Sequence, residues 1–247
     1  MGVDKCVKKE YYILVRYRET KKGKIKMKID RRRKYYIVFD TETANGLDDP
    51  IVYDLGFAVV DRKGNVYEKH SLIIREVFYG MKDLMKSAYY AKKIPMYYAQ
   101  IANGERVVVS LYEAQKLFKE VCEKYNINVA IAHNARFDYR ATSKTQRYIT
   151  KSKYRFFLPY GVELWDTMKM ANDTICKQWT YKEWCYKNGY ITKNGRVRKT
   201  AEILYRYISG DDDFIESHTG LEDVLIEKEI FVHCMRQHKP MRKKCFA

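Results

Sequence analysis

The stretch YYIVFDTETANGLDD, Tyr35 to Asp49, constrains this chain more than any other. Five apolar residues demand burial, and the segment then delivers two carboxylates, Asp40 and Glu42, one residue apart. Side chains at i and i+2 of a β-strand share a face, so the two acids stand side by side with Val38 behind them. Like charges at that spacing repel unless something positive lies between them. A fold that ends a buried strand in this way has to supply a countercharge.

A lone D-x-E pair is weak evidence among 31 acidic residues, but acids recur at comparable places further on. In NVAIAHNARFDYRA a strand ends near His133 and Asn134, and Asp138 falls in the first turn of the helix that follows. In SHTGLEDVLIEKEIFVHCM Asp223 opens the last helix, with His218 five residues before it. At about 100° per residue, Leu221, Val224, Leu225, Phe231, Val232 and Met235 make one apolar face of that helix, while Asp223, Ile226 and Ile230 make a stripe on the other side. A carboxylate at the head of an apolar stripe needs a partner, which a cation, an arginine or the positive end of the helix dipole would provide. His218 lies about 140° away from Asp223 in helical projection and therefore belongs to the preceding loop. From there an imidazole can reach the acid as a general base, or it can be an ordinary surface residue.

Around these points the pattern is that of an α/β domain. Tyr35 to Phe39, IVYDLGFAVVD and VYEKHSLIIR predict an antiparallel three-stranded meander with a turn at RKGN. SLYEAQKLFKEVCEKY predicts a helix with Ser110 as N-cap and Glu113 completing a capping box. Strands at NVAIAHN and GVELWDT follow, with helices opening near Arg136, at 167–172, 181–187 and 199–208, and finally at about 220–237. Between the third strand and the first long helix, a Tyr- and Lys-rich segment from Glu76 to Val109 predicts one helix, its tyrosines serving either base stacking or packing.

Charge separates the ends from the middle. The chain of 247 residues carries a formal net charge of +17, which favours a polyanionic partner. Residues 1–34 hold fourteen Lys/Arg against four acidic residues, as an extension whose alternating segments YYILVRYRE and KIKMKID suggest a basic β-hairpin. The expected layout is this extension, a domain over 35–237 and a basic tail over 238–247. Six scattered cysteines without a C-x-x-C pair suit free thiols, and His233, Cys234, His238 and Cys245 match no familiar zinc spacing. No stretch approaches the roughly 18 apolar residues of a membrane helix, and the start lacks the apolar core of a signal peptide. The expectation is a cytoplasmic protein with no membrane partner.

FDTET, AHNARFD, WDTMKMA and HTGLEDVLIE occur in the order found in the DEDDh 3′-to-5′ exonucleases, the family of polymerase proofreading subunits and ribonuclease T, which the chain resembles from about Tyr35 to Gln237. The resemblance implies a ribonuclease H-like fold with a mixed five-stranded sheet flanked by helices. It implies that Asp40, Glu42, Asp138 and Asp223 hold two divalent ions, Mg²⁺ or Mn²⁺, that His218 is the general base, and that Thr41, Thr43, Leu47, Asn134 and Phe137 meet the substrate. An oxygen-only ligand set suits those ions, and a pair about 4 Å apart can serve both the attacking and the leaving oxygen of a phosphodiester. The implied substrate is the 3′ end of nucleic acid, single-stranded DNA before RNA, with a polymerase or replication protein as a possible partner and a weakly catalytic binding module as the alternative. The family's DTETTGL is DTETANGL here, one residue longer, so Leu47, in the position resembling the family's base-wedging apolar residue, is expected to sit differently. Asp166 and Asp211 to Asp213 are expected to be structural or solvated.

Overall fold

The computed structural model describes residues 29–150 and 155–246. The expected β-hairpin in the basic extension lies almost wholly outside these residues. Residues Arg32–Ala247 form a compact unit, and its centre is a mixed sheet of six strands in the order β4-β3-β2-β1-β5-β6. Strands β1 (Tyr35–Ala44), β2 (Ile51–Asp61) and β3 (Val66–Ile74) make the antiparallel meander. β5 (Val129–Ala132) joins β1 in parallel, and β6 (Glu163–Asp166) joins β5 in the same way. Five strands were expected; the sixth, β4 (Val107–Val109), pairs in parallel with the outer side of β3. Three valines are too short a run to establish a strand by periodicity, and it is the register with Leu72 to Ile74 that makes one.

The helices fall close to their expected places. The Tyr/Lys-rich segment is richer than its sequence pattern suggested, with α1 (Arg75–Phe78), α2 (Lys82–Lys86) and α3 (Ile94–Ala102), the last preceded by a 3-10 turn at Ala91–Lys93. Then come α4 (Leu111–Lys124), with the Ser110/Glu113 capping box in place, α5 (Arg136–Ile149), α6 (Thr167–Asp173), α7 (Trp179–Lys187), α8 (Ala201–Ser209) and α9 (Gly220–Arg236). Among the described residues no helix is long and apolar enough to cross a membrane.

Parity along the two central strands decides what faces what. Ile37 and Phe39 of β1 and Leu55 and Phe57 of β2 belong to one face of the sheet, where Phe39 and Phe57 meet Phe118 of α4. Tyr36 and Val38, with Ala58 and Val60, belong to the other face and pack against α9 through Phe231, Ile230 and Val224. Asp40, Glu42, Asp54 and Gly56 share the parity of that second set, so the polar ends of both strands lie under the N-terminus of α9. The expected division of α9 into two stripes dissolves, because Asp223, Val224, Ile226, Glu227, Ile230, Phe231 and Val232 are all buried. The helix runs across the middle of the sheet with α6 and α8 against its flanks, so little of its circumference meets water.

The tail continues the sheet's edge. The amide of Asp166 donates to Lys243 O at 2.7 Å and that of Cys245 to Leu164 O at 2.8 Å, with Lys244 opposite Trp165 in an antiparallel bridge. An edge strand is thereby covered. The five described cysteines are buried free thiols. Cys234 accepts from the Thr174 hydroxyl and Cys245 lies on β6, so no zinc group forms from the C-terminal His and Cys residues.

Candidate active site

Two glycines set the geometry. A Cβ on Gly56 would stand 2.1 Å from the carbonyl carbon of Gly220, and one on Gly220 would stand 2.6 Å from the nitrogen of Gly56. Backbone thus lies on backbone where α9 begins, and no side chain of any size fits between. This contact brings the first turn of α9, with Asp223, down to the strand end that carries Asp40 and Glu42. Opposite Glu42 the β1–β2 ladder slips by one residue, as Glu42 pairs with Asp54 and Thr43 with Val52, a bulge that bends the strands beside the acids.

Four carboxylates from three elements gather here. Asp40 and Glu42 come from β1, Asp138 from the first turn of α5 and Asp223 from the first turn of α9. Ligand atoms of Glu42, Asp223 and His218 all lie within 4.8 Å of one another. Asp40 and Asp138 stand outside that trio. Even so, burial first, and then the charges of Glu227, Asp138, Glu42 and Asp223, hold the Asp40 carboxyl well above the usual range. Burial pushes Glu42 to about 9, helped by Asp223 and Asp54. It pushes Asp223 to about 8, with Glu216 adding to the shift and Ser217 and the Thr219 amide opposing it. Burial likewise carries Asp138 to about 7 against the hydrogen bond from Thr41.

Their hydrogen bonds are few. The Thr41 hydroxyl donates to Asp138 Oδ1 at 2.8 Å, so Thr41 orients an acid. Ser217 Oγ donates to Asp223 Oδ1 at 3.2 Å and the Thr219 amide to Oδ2 at 3.1 Å. Among the described residues no Lys or Arg forms an ion pair with any of the four. Lys93 offsets part of the charge at Glu42 and Asp223 from a distance.

His218 sits in the loop before α9, as its spacing requires, in the left-handed region at φ 47°. That conformation costs a non-glycine residue about 1–3 kcal/mol and has to be held by its surroundings. The ring of Tyr90 stacks on the imidazole at 4.4 Å and 12°. Lys93 caps the same loop through Ser217 O and reaches His218 O at 3.5 Å. On its other side His218 Nδ1 lies 3.7 Å from Glu216 Oε2, and Glu202, Glu216 and His218 also approach within 4.8 Å. Burial lowers the pKa of the imidazole and Lys93 lowers it further, against the charge of Glu202; the net lowering favours the neutral ring with its lone pair. The Tyr/Lys-rich segment therefore supports the site: Tyr90 and Lys93 brace the histidine loop, while Tyr97 is wholly buried in the core.

The other sequence-derived residues are placed as follows. Leu47 is 73% exposed on the turn after β1, its carbonyl accepting from Arg140 at 2.6 Å. Thr43 is half-buried on β1; Phe137 is half-buried under the Arg140 guanidinium at 5.9 Å. Asn134, exposed and left-handed at φ 59°, gives its amide to Asp166 at 3.1 Å. Asp166 also caps α6 through the amides of Met168 and Lys169, which makes it structural, and Asp211 to Asp213 lie in an exposed turn.

Two groups were not foreseen. Asp54, 0% exposed, accepts at Oδ2 from Arg106 (3.0 Å), Tyr97 (2.8 Å) and the Gly220 amide (3.0 Å), tying α3 and the start of α9 to β2. Glu227, 3% exposed, lies one turn beyond Asp223, and among the described residues its Oε2 has no hydrogen-bond partner. Its spacing of i+4 from Asp223 was the available signal.

The donors suit a hard divalent cation: they are crowded carboxylate oxygens, those of Asp138 and Asp223 on buried residues and those of Asp40 and Glu42 on half-buried ones, without a paired side-chain cation among the described residues. No protein-family model matches the chain, and no curated protein sequence does. Among solved structures it is similar to S. pombe Pop2p in its Mg²⁺- and Mn²⁺-bound form, with 12% identity, a TM-score of 0.52, and coverage of 92% of this chain and 91% of that one. It is similar to cell-death related nuclease 4 (CRN-4), with 9% identity, a TM-score of 0.52, and coverage of 85% and 67%. It also matches Exonuclease X in complex with 5′ overhanging duplex DNA, with 16% identity, a TM-score of 0.41, and coverage of 82% and 92%. The fold is an α/β, ribonuclease H-like one with six strands.

Proposed function

We propose that this protein is a metal-dependent exonuclease of the DEDDh type that hydrolyses phosphodiester bonds from the 3′ end of nucleic acid, with single-stranded DNA as its main substrate. One observation carries the reading: Asp40, Glu42, Asp138 and Asp223 converge from three elements beside His218 with, among the described residues, no side-chain cation paired to them. Two bound Mg²⁺ or Mn²⁺ ions would supply Lewis-acid activation of water and of the phosphoryl group. The four acids would hold them, Thr41 keeping Asp138 in place. His218 Nδ1 or Nε2 would take the proton from the attacking water, with Tyr90 fixing the plane of the ring. Thr43, Leu47, Asn134 and Phe137 would meet the terminal nucleotides. The basic residues of the 1–34 extension would hold phosphates further along the strand.

The test uses single-stranded DNA, RNA and duplexes labelled at the 5′ end, with Mg²⁺, with Mn²⁺ and with a chelator. A ladder shortening from the 3′ end of DNA, abolished by chelation, is the expected result. Stronger degradation of RNA would make the protein a ribonuclease of the same chemistry. Binding without degradation under every condition would refute the enzymatic reading.

A further inference from the structure

Glu227 has no place in the mechanism above, yet it is the acid whose position is hardest to explain by packing. It occupies the second turn of α9, on the same side as Asp223 because residues four apart lie one above the other. The residue is 3% exposed, and among the described residues its Oε2 has no hydrogen-bond partner. The charges that face it are acidic: Asp138 from α5, Asp223 from its own helix and Glu216 from the loop before it. Across the cluster, Glu227 is the foremost charged neighbour of Asp40 on β1. The donor it faces is the backbone amide of His133 at the end of β5.

A core position that only needed filling would take an isoleucine, as at Ile226 just before it and Ile230 one turn on, and a buried carboxylate without a countercharge is costly. The fold can pair a buried acid when the acid is structural, as Arg106 does for Asp54. Among the described residues, Glu227 receives no such cation.

We propose that Glu227 is a fifth carboxylate of the cation site, binding a hard divalent ion directly or through a water together with Asp40 and Asp138. This rests on the nuclease reading for the presence of the ions and adds the floor of their site. Residues that support a metal's ligands typically cost 10- to 100-fold in affinity when removed, and a change of about that size is expected here.

The experiment is a calorimetric titration of Mg²⁺ and Mn²⁺ into chelator-treated full-length protein, wild type against Glu227→Gln, with the metal-free thermal midpoint of each. Glutamine has the shape of a protonated glutamic acid and keeps its donor. If Glu227 only fills the core as a neutral acid, Glu227→Gln will bind the ions as the wild type does, and that result overturns the proposal. If it is a fifth ligand, the variant will be at least as stable without metal and will bind about 10- to 100-fold more weakly. Should Glu227→Gln not fold, Glu227→Asp retains the charge but withdraws it by one methylene, and unchanged affinity in that variant would equally reject the role. A wild type that binds neither ion defeats the nuclease reading itself, which separates the two failures.

Discussion

Glu42 and Asp54 are directly opposite each other on β1 and β2, and the protein treats them in opposite ways. Asp54 receives Arg106, Tyr97 and the Gly220 amide on one oxygen, and Arg106 goes on to Ser71 at 2.8 Å and Glu222 at 2.8 Å. Among the described residues Glu42 receives no arginine; Asp223 and His218 stand beside it, and Lys93 offsets its charge only from a distance. Burial raises the pKa of both, but at Asp54 Arg106 is the principal opposing influence, followed by the Gly220 amide. Two like residues one strand apart thus separate a closed electrostatic network, which fastens α3 and α9 to the sheet, from an open one that lacks such a pairing among the described residues. Charge in the first belongs to stability; on the proposed function, charge in the second belongs to chemistry.

The sharpest way to break this comparison is to neutralise the open side. Asp40→Asn, Glu42→Gln, Asp138→Asn and Asp223→Asn are each expected to lower turnover by about 10³-fold or more, on the scale of removing a preorganised charge-stabilising group, while metal-free stability holds or rises because repulsion is relieved. Near-normal turnover in any one of them at saturating Mg²⁺ would remove that residue from the site. On the closed side the expectation inverts. Arg106→Met strands Asp54 without its countercharge and should cost about 3–5 kcal/mol in urea denaturation; a loss below about 1 kcal/mol would show that the pairing is incidental.

Proton linkage gives the next effect. Glu42, Asp138 and Asp223 hold their protons to about 9, 7 and 8 in the folded protein, against about 4 in the unfolded chain. The native state therefore binds more protons between pH 4 and 9. Stability from these groups is full below about pH 4 and declines as pH rises through that window. The thermal midpoint of the metal-free protein should fall between pH 5 and 8, and Mg²⁺ should cancel the fall. Asp61 provides the contrast of opposite sign: burial alone would raise it, but Asn65, Tyr67 and the amides of Lys63 and Asn65 hold it at about 2. Its contribution is present above about pH 4 and is lost as pH drops toward 2. A midpoint that rose steadily from pH 5 to 8 without metal would contradict the open-site account.

The smallest effect concerns the brace on His218. An aromatic stack is worth about 0.5–1.5 kcal/mol, so Tyr90→Leu should lower kcat about 2- to 10-fold with cation affinity unchanged, well short of the roughly 10²- to 10⁴-fold expected for His218→Ala. A Tyr90→Leu loss as deep as that of His218→Ala would mean the phenol itself acts in the reaction.

What the sequence exposes and hides follows the same division. Asp40, Glu42, Asp138 and Asp223 are legible because each follows a strong local signal, a strand end or a helix start, and local signals survive without tertiary context. The capping box at Ser110 and the meander are legible for the same reason. Glu227 and Arg106 are not. In sequence Glu227 belongs to an IEKE run and Arg106 to a GERV turn, both typical of solvated surface, and only long-range packing buries them. The short α1 and α2 and the three-residue β4 escape because a single turn or three valines carry too little periodicity to stand out.

The backbone contact between Gly56 and Gly220 also has a bearing on time. The hydrogen bond beside it joins residues 166 positions apart, and closing so long a loop delays the contacts it brings together. The meander can form from neighbouring segments, whereas Asp223 reaches Asp40 and Glu42 only when α9 docks. We expect the candidate site to be among the last features to assemble during folding, so that a chain still emerging from the ribosome carries its acids apart. Pulsed hydrogen exchange would show the Gly220 amide gaining protection after those of β1 and β2, and simultaneous protection would argue against this order.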